Sequence, residues 1–366
     1  MQSPTSIPQS PISIPQSPTR LYDLDLPTLQ SLLAGWGEPA YRVRQLWEWL
    51  YVHLATDFDQ MTNLPKPLRE QLAAETIIGV PQMVDTVRSA DGETRKDLLR
   101  LEDGETVEAV LMRYRRRCTA CISTQVGCPI GCVFCATGQM GFRRSLSAGE
   151  IVAQALHFAR ILRAEGERLT NVVLMGMGEP LLNYDASLSA IRRLIDPRGF
   201  NLGQRRITLS TVGVVPGIER LAGEGLQITL AISLHAATDR LRDQLVPLNR
   251  RYGLDALFEA CHHYVKRTGR RVSFEWALIE GVNDSPMQAK ALAARLAGLL
   301  AHVNLIPLNP TPGYAGRPSP HAALTAFTAE LERHRVPYTV RLRRGVDIQA
   351  GCGQLRQHSA GQEEAT

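Results

Sequence analysis

CISTQVGCPIGCVFCATG, Cys121–Gly138, is the stretch that decides what kind of protein this chain is. An apolar run, Ala120–Thr124, leads straight into a loop carrying Cys128, Cys132 and Cys135, separated by three and then two residues. Thiolates ligate iron–sulfur clusters. Spacing this tight lets one loop wrap three corners of a cube, and Gly127, Gly131 and Gly138 free the backbone to do so. Three thiolates on a four-iron cubane leave one iron open, able to take an amine and a carboxylate. The competing assignment is zinc, which asks for four closed ligands. The nearest fourth is Cys121, whose seven-residue offset suits no compact knuckle.

Outward from this loop, apolar strand runs alternate with helical stretches. The runs are Ala120–Thr124, Asn171–Gly176, Ile207–Thr211, Ile228–Leu234, Val272–Leu278 and Val303–Leu308; Glu150–Ala164 and Pro286–Leu300 are among the helices. Six strand–helix units predict an α/β fold with a parallel sheet, open or partly closed as a barrel, and chemistry at the C-terminal strand ends. GMGEP, Gly176–Pro180, falls at such an end. Its glycines offer backbone donors, and the Glu179 carboxylate suits an ammonium group. Taken alone it is a glycine turn.

Upstream, the period between Gln82 and Tyr114 is two. Turn signals at Asp91-Gly92 and Asp103-Gly104 predict three antiparallel strands. Leu21 to about Glu75 has helical spacing, with Val43, Leu46, Trp47, Leu50 and Tyr51 on one face; an RNA-handling appendage and a packing cap fit it equally. The N-terminus repeats SIPQSP at Ser6–Pro11 and Ser13–Pro18, a composition that predicts disorder through about Thr19. The expected boundaries are a tail over 1–19, a helical accessory domain over 20–80, an antiparallel β extension over 81–117, the barrel over 118–347, and a C-terminal loop and tail over 348–366.

No run of about 18 apolar residues exists, so no membrane span is expected. No signal peptide is visible, and seven cysteines, an odd count, favour metal or redox chemistry in a reducing, cytoplasmic compartment over a disulfide scaffold. The net charge of +5 is too small to prove a nucleic-acid partner. Its clustering is more pointed: Arg113 with Arg115–Arg117, and Arg341 with Arg343–Arg344, flank the segments of Cys121 and Cys352. Both predict contacts to an RNA backbone; solvated surface is the bland alternative.

Taken together, CISTQVGCPIGCVFCATG, GMGEPLLNY, RITLSTVG, LAISLHA, VPLNRRYGLDAL, LIEGVND, NLIPLNP and RGVDIQAGCGQL resemble, within the radical S-adenosylmethionine superfamily, the RlmN family of RNA adenine methyltransferases. The resemblance runs from about Leu21 to Leu355. It implies a partial (β/α)6 barrel, a [4Fe–4S] cluster on Cys128, Cys132 and Cys135, and S-adenosylmethionine held by Gly178, Glu179, Ser210, Ser233, Leu234, His235 and Asn309. It also implies a methylated thiol at Cys352, a resolving thiol at Cys121 and a base at Glu108. In the implied sequence Cys352 first accepts a methyl group. A 5′-deoxyadenosyl radical then takes a hydrogen from that methyl, and the resulting carbon radical adds to adenine C2. Loss of the C2 proton and attack by Cys121 release the product and leave a disulfide.

Without the resemblance, Cys352 and Cys121 fit small buried hydrophobes, Glu108 a solvent-facing strand carboxylate, and His235 a structural histidine. Cys118 and Cys261 match no motif and are assigned to packing. The implied substrates are 23S rRNA and, for some members, tRNA beside the anticodon; the implied electron donor is a flavodoxin or ferredoxin. One departure is Gly351, where the family pattern often has alanine; a further glycine predicts a looser loop around Cys352. The rivals are a Cfr-like adenine C8 methyltransferase, a radical dehydrogenase or lyase, and a non-catalytic RNA-binding protein.

Overall fold

The N-terminal residues fold as a helical module because their apolar residues recur at helical spacing and each helix has a defined start. In the computed structural model, which describes residues 18–341 and 344–355, strand β1 (Thr19–Arg20) comes first. Helix α1 (Leu26–Gly35) opens where the Asp25 side chain accepts from the Thr28 N–H. Helix α2 (Tyr41–Glu48) runs on into a π-helical turn, Trp49–His53, and α3 (Lys66–Glu75) begins on a proline. Leu46, Trp47, Leu50 and Tyr51 are buried as predicted. Strand β2 (Thr76–Ile77) pairs in parallel with β1, so Thr19, assigned to the tail above, is where pairing begins. The rest of that expected tail, residues 1–17, and Arg343 lie outside the described residues.

The predicted antiparallel strands follow: β3 (Gln82–Arg88), β4 (Thr94–Arg100) and β5 (Thr106–Tyr114). Gly92 and Gly104 take φ of +71° and +86° in the two turns between them. They are not a separate sheet. Strand β6 (Arg117–Cys121) pairs antiparallel with β5 on one side and parallel with a later strand on the other.

After β6 come the short pair β7 (Gln125–Gly127) and β8 (Phe142–Ser145), with helix α4 (Ala136–Gln139) between them. Helix α5 (Ala148–Ala164) starts on a capping box of Ser147 and Glu150. Then alternate β9 (Asn171–Leu174), α6 (Tyr184–Ile195), β10 (Ile207–Thr211), α7 (Val215–Ala222), β11 (Thr229–Ser233), α8 (Asp239–Leu245), α9 (Leu254–Thr268), β12 (Val272–Leu278), α10 (Pro286–Arg295), β13 (Ala301–Pro307), α11 (His321–Arg333) and β14 (Tyr338–Val340). The ten-stranded sheet runs β14-β13-β12-β11-β10-β9-β6-β5-β4-β3, with β14 adding a seventh parallel strand to the six predicted. That seventh strand is three residues long, too short for an apolar run to announce it.

Alternation along these strands divides core from interior. Ile207 and Leu209 of β10 are fully buried in the core, whereas Thr208 and Ser210 face a cavity, joined at the strand end by Thr211. On β12, Phe274 stacks on Phe258 and Trp276 meets Phe327, while Ser273, Glu275 and Ala277 point inward. A parallel strand covered on both faces by packed core would be apolar throughout. Small polar residues on one face instead mark a barrel with a usable interior. The open edge is bridged by the C-terminal segment: beyond β14, Arg344 donates to the Arg113 carbonyl at 3.2 Å and Asp347 accepts from the Ala90 N–H at 2.9 Å.

Candidate active site

Between the strand ends lies a cavity lined by all three predicted cluster cysteines together with Gly178, Glu179, Ser210, Ser233, His235, Asn309 and Cys352. Cys132 is buried and Cys128 half-buried. Burial pushes the Cys128 thiol up to about 12 and the Cys132 thiol further up, so ionising them needs a cation to compensate. Among the described residues, no three His, Cys, Asp or Glu side chains gather closely enough for one metal ion.

Glu179 closes the other side. Its two carboxylate oxygens accept from the Leu181 N–H at 3.0 Å and the Val212 N–H at 2.8 Å. Burial raises it to about 7, and no lysine or arginine among the described residues pairs with it. A buried carboxylate ringed by backbone donors and lacking a cation fits the ammonium of an amino acid. Gly178 makes this approach possible: at φ +100° a Cβ would stand 2.6 Å from Cβ of Gln125, whose Oε1 accepts from the Glu179 N–H.

His235, at φ +60°, accepts from the Ala277 N–H on Nδ1, which leaves the proton on Nε2. Burial, reinforced by Arg242, depresses it to about 3, so it is a neutral donor. Asn309 donates to the Cys352 carbonyl at 3.1 Å, while its Oδ1 is buried without a partner. An orphaned acceptor in the cavity wall is what a ligand with an N–H, such as an adenine amine, would satisfy. Leu234 stands apart. Its side chain is fully buried in the core and does not line the cavity, and its backbone holds the strand end.

A second cavity opens beside the first within the barrel. Thr119, Asn171, Thr208, Thr229, Ser273 and Asn304 face it from successive strands, and Arg117, Arg341 and Arg344 line it too. Cys121 and Cys352 both reach this space, and Cys352 lines both cavities, its exposed surface being cavity surface. Burial pushes the Cys121 thiol up, and the neighbouring Cys352 adds to it. Cys118, an odd number of positions away, lies on the opposite face of β6, donates to Glu167 at 2.9 Å and lines neither cavity, so the two thiols are not interchangeable.

The loop around Cys352 is not loose. Gly351 donates to Gln354 Oε1 at 3.0 Å, Gln354 donates to the Pro310 carbonyl at 2.9 Å, and the Gly353 carbonyl accepts from Ala136 at 2.8 Å. A Cβ on Gly351 would stand 2.6 Å from Asn309 Nδ2. The extra glycine therefore serves close approach to Asn309, and the expectation of looseness is overturned.

Glu108 is buried as well, against the solvent-facing alternative. Its carboxylate pairs with Lys96 at 2.8 Å, with the two side chains 2 % and 9 % exposed. It lines neither cavity but shares the inward face of β5 with Met112 and Tyr114, which do.

Sequence inspection missed four polar residues. Arg242, 1 % exposed, donates to the carbonyls of Leu234, Val212 and Ser233 and to Asn249, tying three strand-end peptides together. Gln125 and Lys96 carried no local signal. Glu275, accepting from Asn304 at 2.7 Å on the wall of both cavities, did carry one: a lone carboxylate in an otherwise apolar strand.

The chain matches the Radical SAM superfamily over residues 122–292 and the Ribosomal RNA large subunit methyltransferase N-terminal domain over residues 19–78. It is 55 % identical to the dual-specificity RNA methyltransferase RlmN 1 of Myxococcus xanthus, over 92 % of this chain and 94 % of that protein. It is 53 % identical to the probable dual-specificity RNA methyltransferase RlmN of Chloroflexus aurantiacus, over 92 % of each. A crystal structure of a radical SAM methyltransferase from Sphaerobacter thermophilus superposes with a TM-score of 0.90 at 53 % identity, covering 93 % of this chain and 99 % of that one. Among the described residues, no helix is long and apolar enough to cross a membrane. With S-adenosylmethionine and an iron–sulfur cluster thereby implied at a site whose donors fit both, the chain belongs to the RlmN family of radical S-adenosylmethionine RNA methyltransferases.

Proposed function

We propose that this enzyme methylates C2 of an adenosine in 23S rRNA at the peptidyl-transferase centre, and of tRNA beside the anticodon, by way of a methyl group carried on Cys352. The observation that carries this reading is the placing of two thiols, Cys121 on a strand and Cys352 on a loop, in one cavity that adjoins the cluster cysteines. Adenine C2 is electron-poor, so an electrophilic methyl group has nothing to react with there; a carbon radical does. Bound on Cys128, Cys132 and Cys135, a [4Fe–4S] cluster would offer an open iron to S-adenosylmethionine and supply the electron that splits it.

The protein's own groups do the rest. Glu179 would pair with the ammonium of S-adenosylmethionine, Gly178 would admit its backbone-like end, and Ser210, Ser233, His235 and Asn309 would orient the nucleoside, with Leu234 contributing its backbone. Cys352 accepts and carries the methyl group, Glu108 takes the C2 proton, and Cys121 attacks the Cys352 sulfur to release product as a disulfide forms. Arg117, Arg341 and Arg344 at the second cavity give phosphates a place to rest while a base is turned inward. The oxidised thiols and spent cluster call for a flavodoxin- or ferredoxin-like donor in the cytoplasm.

Anaerobic reconstitution with S-adenosylmethionine, a reductant and an rRNA fragment tests the reading, with digested nucleosides separated against C2- and C8-methyladenosine standards. 2-Methyladenosine from wild type and none from Cys352→Ala is expected. The C8 isomer would overturn the regiochemistry. Full activity in Cys352→Ala would discard the carrier thiol in favour of another radical reaction.

A further inference from the structure

Lys96 touches two things that the proposed reaction must bring together. Its Nζ stands 2.8 Å from Glu108 Oε1 and donates to the Gln349 carbonyl at 3.4 Å, three residues before Cys352. An ion pair needs no third partner, but an ammonium carries three donors and can bind a second acceptor while neutralising the first. Lys96 and Glu108 share a face for a simple reason. Lys96 lies opposite Val110, and Glu108 opposite Leu98, so all four side chains project into the barrel from β4 and β5.

The segment it holds is shaped for docking on this surface. Gln349 takes φ +52°, a conformation that side-chain-bearing residues adopt seldom and keep only when their surroundings impose it. The turn is closed by Gln349 N–H to the Val346 carbonyl at 3.1 Å and Ala350 N–H to the Gly345 carbonyl at 2.7 Å. At Gly345 a Cβ would strike Thr94 at 2.8 Å, two residues along β4 from Lys96. Arg344 lies over the Tyr114 ring at 4.5 Å, and Asp347 holds Ala90.

We propose that Lys96 is a positioning residue that fixes the Glu108 carboxylate and the Cys352-bearing segment relative to one another, so that base and carrier thiol meet the same adenine carbon. This rests on the assignment of Glu108 as the base. The step it serves acts on the adduct joining RNA to Cys352, once that radical adduct has given up one electron, which a cluster held on Cys128, Cys132 and Cys135 would accept. The C2–H bond breaks, its proton passes to a Glu108 oxygen, and its electron pair stays in the ring and restores aromaticity. Only then can the Cys121 thiolate attack the Cys352 sulfur: the S–S bond forms, the S–CH2 bond breaks with its electron pair leaving on the methylene carbon, and that carbon takes up a proton to complete the methyl group. Lys96 makes no contact with the reacting carbon; it sets the spacing between two groups that do.

The test uses holoenzyme carrying K96M, K96R, E108Q or C121A, with S-adenosylmethionine, a low-potential reductant and an rRNA fragment. In K96M, Cys352 still becomes methylated, but product forms roughly 100-fold more slowly, the scale of a misplacement of about an ångström. An RNA–protein conjugate accumulates on denaturing gels, as in E108Q and C121A, and K96R restores most of the turnover. A second readout needs no turnover: without substrate, Cys352 of K96M is alkylated several-fold faster than in wild type, measured by peptide mass.

Conjugate in E108Q together with wild-type turnover in K96M would overturn the inference while leaving the base assignment standing. Normal turnover in E108Q would sink that assignment, and the inference with it. Unchanged alkylation in K96M would refute the docking half. If K96M does not fold, K96M/E108Q removes both buried charges. Alkylation faster than in E108Q supports the inference, and an equal rate overturns it.

Discussion

Replacing Glu179 with glutamine removes a charge that burial makes costly in the ligand-free protein. A carboxyl raised by burial from 4.5 to about 7 costs about 3 kcal/mol to ionise in place, at about 1.4 kcal/mol per pH unit. Because the folded-state value lies above the unfolded one, the folded chain binds the proton more tightly between pH 4.5 and 7. Stability therefore falls as pH rises through that window, and the full cost is present above pH 7. Glutamine escapes this cost. It meets a smaller one, since its amide nitrogen must face the N–H of Leu181 or Val212, each now accepted by a carboxylate oxygen. One mismatched donor costs about 1–3 kcal/mol. The two nearly offset, so E179Q without ligand should melt within about 2 kcal/mol of wild type at pH 8.

With ligand the balance reverses. The ammonium of S-adenosylmethionine would supply the missing cation, and a charge-assisted hydrogen bond is worth about 1.5–3 kcal/mol, or roughly 10- to 150-fold in affinity. Urea melts of apoprotein at pH 6 and pH 8, paired with calorimetric titration of cluster-loaded enzyme, separate the two effects. Wild type should lose stability between these pH values and E179Q should not. An E179Q variant with much-reduced apoprotein stability and unchanged S-adenosylmethionine affinity would refute the reasoning and make Glu179 a structural residue.

Three further outcomes are expected. Arg242→Met leaves four acceptors in the strand-end layer without their donor and should cost about 3–5 kcal/mol in a urea melt, with S-adenosylmethionine binding weakened as the Val212, Ser233 and Leu234 peptides relax. Replacing Arg117, Arg341 and Arg344 together with alanine should weaken RNA binding and reduce the slope of log K against log salt by about 2, at about 0.7 per phosphate contact; an unchanged slope would place the RNA elsewhere. His235, held at about 3 against an ordinary 6.5, is neutral in the folded chain, so stability should be lost as pH falls from about 6.5 toward 3, by up to about 5 kcal/mol. A His235→Gln variant should show a visibly flatter acid limb in melts across that range.

How much of this was legible in the sequence depended on whether the cause was local. The cysteine loop, the two Asp-Gly turns and the apolar runs of β10 and β12 each act within a few residues, and the structure places them where the sequence predicts. Read alone, Glu108 looks like a solvent-facing strand carboxylate, because its burial comes from Lys96 on the neighbouring strand and from the C-terminal segment beyond, neither of which its own surroundings reveal. Gly351 was misjudged for a related reason. A glycine means freedom in an isolated loop and close approach where another backbone or side chain presses in, and here Asn309, 42 positions earlier, presses in. Arg242 hides among the charges of a short helix, although its side chain is almost wholly enclosed.

The placing of the two thiols matches the roles proposed for them. A resolving thiol would have one target, the Cys352 sulfur, and gain from a fixed position; Cys121 ends β6, buried and held between Val110 and Val173 of the flanking strands. A carrier thiol would have to meet a methyl donor, an adenine carbon and Cys121 in turn, which asks for a position open to both cavities. A loop lying across the open edge of the barrel provides one, and Cys352 borders both cavities while Cys121 borders one. Such a loop would be imprecise if it were free, and precision here comes from its partners: Asn309 from the cofactor side, Ala136 from the cluster loop, and Lys96 and Ala90 from the antiparallel strands. On the proposed roles those strands serve the reaction too. Without β3–β5 the segment that carries Cys352 would keep Asn309, Ala136 and Pro310 as partners and lose the contacts to Lys96 and Ala90 that tie its first half to the barrel edge.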